Sequence, residues 1–165
     1  MKTNLLMNFS VDKDNKTITV DREFAASPGK VWTAWTTPEM LDQWWAPKPW
    51  KANTVSMDFT VGGRWLYFMQ GPEGERHYSF ADYKTIDIGN SFSVRDGFSD
   101  EKGNINTEWP QSNWSNTFKG NGDSTMVNIV ITFDKVEDLE NIIKMGFKEG
   151  FTMAMENLDE IFSKG

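Results

Sequence analysis

The sequence contains no cysteine and a single histidine, His77. Without cysteine there is no disulfide framework and no thiolate nucleophile. That composition fits a reducing compartment, so a cytoplasmic location is expected. One histidine and no cysteine make a poor ligand set, so no metal is expected. Long apolar runs are also missing. Leu5-Leu6-Met7, near the start, is too short for a secretory leader. No stretch approaches the roughly 20 apolar residues of a membrane helix, so membrane insertion is not expected. Positive charge is scarce: 17 Lys and Arg face 24 Asp and Glu, a net charge of −7. Such a surface repels phosphate backbones, which argues against a nucleic-acid partner. Gly62-Gly63 lacks the Lys-Ser/Thr sequel of a phosphate loop, and Ser112 to Ser115 lacks the frame of a nucleophile elbow. No cofactor is expected.

Aromatic residues are plentiful, at 14% of the chain. Five of the eight tryptophans fall between Trp32 and Trp50, punctuated by Pro28, Pro38, Pro47 and Pro49. Rings of this size bury against something, and two short proline-started helices cannot cover them alone. The segment reads as one wall of a core or of a cavity. A length of 165 residues with 38% hydrophobic content suits a single domain spanning residues 1–165.

Period-two alternation marks the strands. Leu5, Met7, Phe9 and Val11 share one face, and residues 1–16 read as an N-terminal hairpin strand and turn. Ile18, Val20, Arg22 and Phe24 share a face of the next strand. Ser27-Pro28 and Thr37-Pro38 start two short helices. Strands are expected at 52–59, 64–70, 77–86, 90–98, 113–119 and 124–133, with a long loop over 99–112. From Val136 the period turns helical, and one long helix is expected over 136–163. Gly146 and Gly150 interrupt its apolar stripe. Each costs about 1 kcal/mol against alanine in a helix. They imply close packing, room for a ligand, or a bend.

Several blocks together resemble a known family. They are Ala26-Ser27-Pro28 with Val31-Trp32 and Ala34-Trp35-Thr36, then Trp44-Trp45-Ala46-Pro47. Gly62-Gly63-Arg64-Trp65, Gly71-Pro72-Glu73-Gly74 and Met145-Gly146-Phe147 with Glu149-Gly150 continue the likeness. The pattern is similar to the activator-of-heat-shock-protein-90-ATPase homologue-like family, in the START-like superfamily. It covers about residues 17–162. The resemblance implies an α+β helix-grip fold, in which a curved antiparallel sheet wraps a long C-terminal helix. It also implies a cavity between sheet and helix, roofed partly by the two short helices. Members of the superfamily bind lipids, sterols, polyketides or flavonoid-like compounds there; some are cyclases or hydrolases. The family's namesake contacts a chaperone.

On this reading the expected function is binding of a small hydrophobic or aromatic molecule. Trp45, Trp50, Trp65, Tyr67, Met69, Tyr78, Phe147, Phe151 and Met155 are the expected lining. Trp and Tyr bring one polar atom each to an apolar wall, and Met adapts to irregular shapes. Arg22, on an apolar strand face, is either an anchor for an anionic group or half of an ion pair, with Asp58 or Asp82 as partner. A cyclase- or hydrolase-type enzyme is the alternative, with His77 or Asp82 as its acid–base residue. A chaperone and a second copy of the chain are the protein partners weighed.

Overall fold

The alternation read from the sequence becomes eight strands: β1 (Met7–Asp12), β2 (Thr17–Phe24), β3 (Lys51–Met57), β4 (Arg64–Gln70), β5 (Arg76–Asp87), β6 (Ser91–Ser99), β7 (Ser112–Asn121) and β8 (Ser124–Phe133). The helices are α1 (Pro28–Thr36), α2 (Pro38–Trp44), α3 (Val136–Lys144) and α4 (Phe147–Lys164). This computed structural model describes residues 5–164. Residues 1–4 of the expected N-terminal strand segment, and Gly165, lie outside the described residues.

The strands form one curved antiparallel sheet in the order β1-β2-β8-β7-β6-β5-β4-β3. β3 to β8 follow one another as a meander, and β2 closes the sheet against β8. The Asp12 carboxylate tightens the β1–β2 turn by accepting from the backbone and side-chain nitrogens of Asn15 at 3.2 and 2.7 Å. One face of the sheet carries the core. Ile18, Val20 and Phe24 of β2 and Val127, Ile129 and Ile131 of β8 are essentially sealed from solvent. This is the α+β helix-grip fold that the sequence pattern implies.

Proline occupies the first turn of both α1 and α2, where its missing N–H costs nothing. The short helices hold together through tryptophan. The Trp44 indole N–H donates to the Ala34 carbonyl at 2.8 Å, which ties α2 to α1. Trp35 and Trp44 pack with ring centroids 5.0 Å apart. Trp32 fits its edge among Phe59, Phe92 and Phe118. The Asn157 amide of α4 donates to the Ala46 carbonyl at 3.0 Å and pins the segment after α2.

The continuous helix expected over 136–163 is divided. Gly146 sits at φ +88°, a left-handed conformation that ends α3 and turns the chain before α4 begins at Phe147. Gly150 is different: a Cβ added there would meet only Pro47 Cγ, at an ordinary 3.7 Å. The two glycines therefore respond oppositely to alanine. Gly146→Ala forces a side chain into the left-handed region and is expected to lower stability by about 1–2 kcal/mol. Gly150→Ala is expected to raise it by up to about 1 kcal/mol through helix propensity. Urea unfolding of the two variants measures both signs.

Candidate functional site

The break between α3 and α4 leaves space against the sheet. A cavity of about 270 Å³ lies there. The sheet supplies Tyr67 and Met69 from β4, His77 and Ser79 from β5, Asp96 from β6, Ser112 and Trp114 from β7, and Ile131 and Phe133 from β8. The helical side supplies Ile142, Phe147, Gly150 and Phe151, with Trp45 and Pro47 from the segment after α2.

The wall is built of rings in contact. Phe147 and Phe151, one helical turn apart, stack at 5.3 Å. Trp114 presents its edge to both, at 5.9 and 5.5 Å. Trp45 meets Trp114 and Phe151 at 5.9 Å each. Its indole N–H donates to the Tyr67 hydroxyl at 3.1 Å, so the wall is oriented as well as packed.

One carboxyl group interrupts this apolar surface. Asp96 lies directly across from Ser112 in the β6–β7 ladder. The Ser112 hydroxyl donates to Asp96 Oδ1 at 2.5 Å, and the Trp114 indole N–H donates to the Ser112 Oγ at 3.2 Å. Among the described residues Asp96 joins no ion pair; its chain neighbour Arg95 instead reaches Asp134 at 2.7 Å. Asp96 is half-buried and borders both the main cavity and the inner chamber beside it, so protein surrounds most of the carboxyl. Burial pushes its pKa up to about 6, against the weaker opposing pull of the Ser112 and Trp114 hydrogen bonds and the Arg95 charge. The Tyr67 hydroxyl is held well above its ordinary range, by burial first and by the Asp96 charge second.

Behind Tyr67 and Asp96 lies a smaller chamber of about 30 Å³, bounded also by Trp35 and Asn116. The Trp35 Nε1 and Asn116 Oδ1 atoms are buried there without a protein partner. The space is of the size that holds about one water molecule. A wider groove of about 730 Å³ runs outside the sheet past Arg95, Asp134, Lys135 and Lys144. Its lining mixes these charged groups with Trp109, Pro110 and Met145.

Of the lining residues expected from sequence, Trp45, Tyr67, Met69, Phe147 and Phe151 meet at the main cavity. Trp65 borders the inner chamber instead; it stacks on Tyr67 at 4.0 Å and donates to the Thr54 hydroxyl at 3.0 Å. Tyr78 lies outside, because strand alternation turns it to the opposite face beside Phe68. Met155, one turn beyond Phe151, is fully buried in the core. Trp50 packs on the His77 ring at 5.3 Å and does not reach the lining. Arg22 is the buried half of an ion pair with Asp159 of α4, not with Asp58 or Asp82, and its guanidinium also donates to the Glu23 carbonyl at 2.6 Å. It does not line the cavity. Asp82 is held by Arg64 in a two-pronged pair, at 2.5 and 3.0 Å, also outside the lining. His77 stands exposed at the cavity rim.

Asp96 and Ser112 were not among the expected residues. The signal was present: Phe92 and Val94 alternate inward, and the same period reaches Asp96. Among the described residues no group of three or more His, Asp or Glu could hold a metal ion. No described helix is long and apolar enough to cross a membrane.

Comparison with known proteins agrees with this architecture. The profile of the family described as Activator of Hsp90 ATPase homolog 1-like protein matches residues 25–163. The crystal structure of protein Ms6760 from Mycobacterium smegmatis is 34% identical, with a TM-score of 0.87 and 96% of each chain covered. A protein from Arthrobacter aurescens, solved by NMR, is 29% identical with a TM-score of 0.89, covering 96% of this chain and 92% of its own. CalU16 from Micromonospora echinospora, 14% identical with a TM-score of 0.61 over 94% of this chain and 84% of its own, shares the fold alone. No curated protein matches the sequence.

The carboxyl of Asp96 makes stability depend on pH. Its folded pKa is raised, so its contribution is complete below the ordinary aspartate value and is lost as pH rises through about 6. Asp96→Asn removes that loss. The variant is expected to match the wild type near pH 4 and to exceed it near pH 8 by on the order of 2 kcal/mol. Urea unfolding of both proteins across that range reads the difference.

Proposed function

Because the chain belongs to the Activator of Hsp90 ATPase homolog 1-like family, with its START-like fold, we propose that it binds a small hydrophobic, aromatic molecule between the sheet and the α3–α4 elbow. One observation carries the reading. The aromatic side chains stand around about 270 Å³ of space instead of filling it. A well-packed interior leaves few voids larger than a water molecule, so a void of this size lined by Trp, Phe and Tyr has the character of a ligand site. The volume sits at the small end of such sites, which favours a compact ligand.

The binding free energy comes from apolar area removed from water. About 200 Å² of ligand surface corresponds to roughly 5 kcal/mol before the costs of association. Asp96, Ser112 and Tyr67 supply the few polar atoms that fix orientation. The family's description refers to a chaperone ATPase; the aromatic-lined cavity is what favours the small-molecule reading here. Asp82 is committed to Arg64 and His77 is exposed against Trp50, so neither supports the enzyme alternative.

Gly150 provides the test. Its Cα faces the cavity beside Pro47, where a methyl group fits and a larger side chain extends into the space. N-phenylnaphthylamine, a neutral apolar fluorophore, is expected to bind the wild type with one-to-one stoichiometry. Gly150→Leu is expected to weaken that binding at least about tenfold while the far-ultraviolet circular dichroism stays unchanged. Equal binding by a folded Gly150→Leu protein would show that the cavity is not the site.

A further inference from the structure

The charge of the cavity restricts what it accepts. We infer that the ligand carries a protonated amine, or a comparable cationic hydrogen-bond donor, on its apolar skeleton, and that this group docks at Asp96 with the neighbouring indole and phenol rings around it. The inference rests on the small-molecule reading above and adds the chemical class.

Three observations lead to it. First, among the described residues and apart from the exposed His77, Asp96 is the one lining residue with a charge-bearing carboxyl, imidazole, amine or guanidinium, so none of them offers a ligand anion a fixed countercharge. Second, Asp96 stands in no ion pair among the described residues, although buried charges are normally paired. The nearest cation along the chain, Arg95, is turned to Asp134. Third, the surroundings of the carboxyl suit a cation. Tyr67 and Trp114 stand beside it, and Trp45, Phe147 and Phe151 complete the wall. Faces of Trp and Tyr attract ammonium groups through the ring quadrupole, most strongly in a desolvated site. Ser112 engages Oδ1 of Asp96, and the residue is part of the cavity lining.

The docking depends on pH. The ionisable groups around Asp96 are Tyr67 from β4 and Arg95 beside it on β6, whose charge acts on it although its guanidinium pairs with Asp134; His77 from β5 stands elsewhere on the same lining. β7 presents Ser112 and Trp114, and the α3–α4 side presents Ile142, Phe147, Gly150 and Phe151, none of which titrates in this range. The carboxylate is ionised well above pH 6 and neutral well below it, so an amine gains its partner only on the alkaline side.

The test compares skeletons that differ only in the polar group. Tryptamine, tryptophol and indoleacetic acid, with matched naphthyl and octyl triplets, are titrated calorimetrically into wild type and Asp96→Asn at about pH 8 and about pH 5. The expected result is that an amine binds the wild type at the higher pH at least about tenfold tighter than its alcohol, with the acid weakest. The preference collapses at the lower pH. It also collapses in Asp96→Asn at the higher pH, which separates Asp96 from His77; retained alcohol binding shows that the variant keeps its cavity. Alcohols or acids binding the wild type as tightly as amines at the higher pH would overturn the charge inference and leave the small-molecule reading standing. So would an undiminished amine preference in Asp96→Asn. Failure of all nine compounds to bind would overturn both.

Discussion

Trp45 is the residue on which the site depends. Its ring touches Trp35 at 5.8 Å and Trp44 at 5.2 Å on the core side. It touches Trp65, Trp114 and Phe151 at 5.7 to 5.9 Å on the sheet and α4 side. Its one polar atom is spent on the Tyr67 hydroxyl. A single indole thus transmits the position of the two short helices to the cavity wall. Edge-to-face contacts of this kind add about 0.5–1.5 kcal/mol each beyond area burial. Four of them around one ring, with the tilted contact to Trp114, make a wall that keeps its shape around open space.

The second constraint is the turn at Gly146. A helix continuing straight from Val136 would extend α3 along its own axis. The left-handed glycine instead turns the chain, and α3 and α4 meet the sheet as two pieces with Ile142, Phe147 and Phe151 around their junction. Wall and turn together produce a mostly apolar cavity. A carboxyl group placed in such a space loses hydration that its Ser112 and Trp114 hydrogen bonds do not fully offset. The raised pKa of Asp96 and the preference inferred for a cationic ligand are two consequences of that one imbalance.

Much of this was legible in the sequence. Strand alternation placed Tyr67 and Met69 on the cavity face, and helical spacing placed Phe147 and Phe151 together. The proline punctuation located both short helices. What escaped has physical reasons. Tyr78 was assigned to the cavity although alternation turns its neighbours His77 and Ser79 that way. Met155 shares the apolar stripe of Phe151, but the stripe runs on past the cavity into the core, and periodicity does not say where along a helix a void ends. Arg22 was rightly placed on an inward face, but its partner Asp159 lies 137 residues away on α4, a pairing no local pattern encodes. Asp96 continues the alternation of Phe92 and Val94, but alternation alone does not show that a carboxylate is held inside, since carboxylates are mostly exposed.

The central claim is that a carboxyl without a cation stands in an aromatic cavity. Carbon-detected NMR titration of the Asp96 carboxyl in the ligand-free protein tests it most directly. The account predicts a midpoint of about 6. A midpoint in the ordinary aspartate range, near 4, would mean that the group is solvated or paired, and would contradict it.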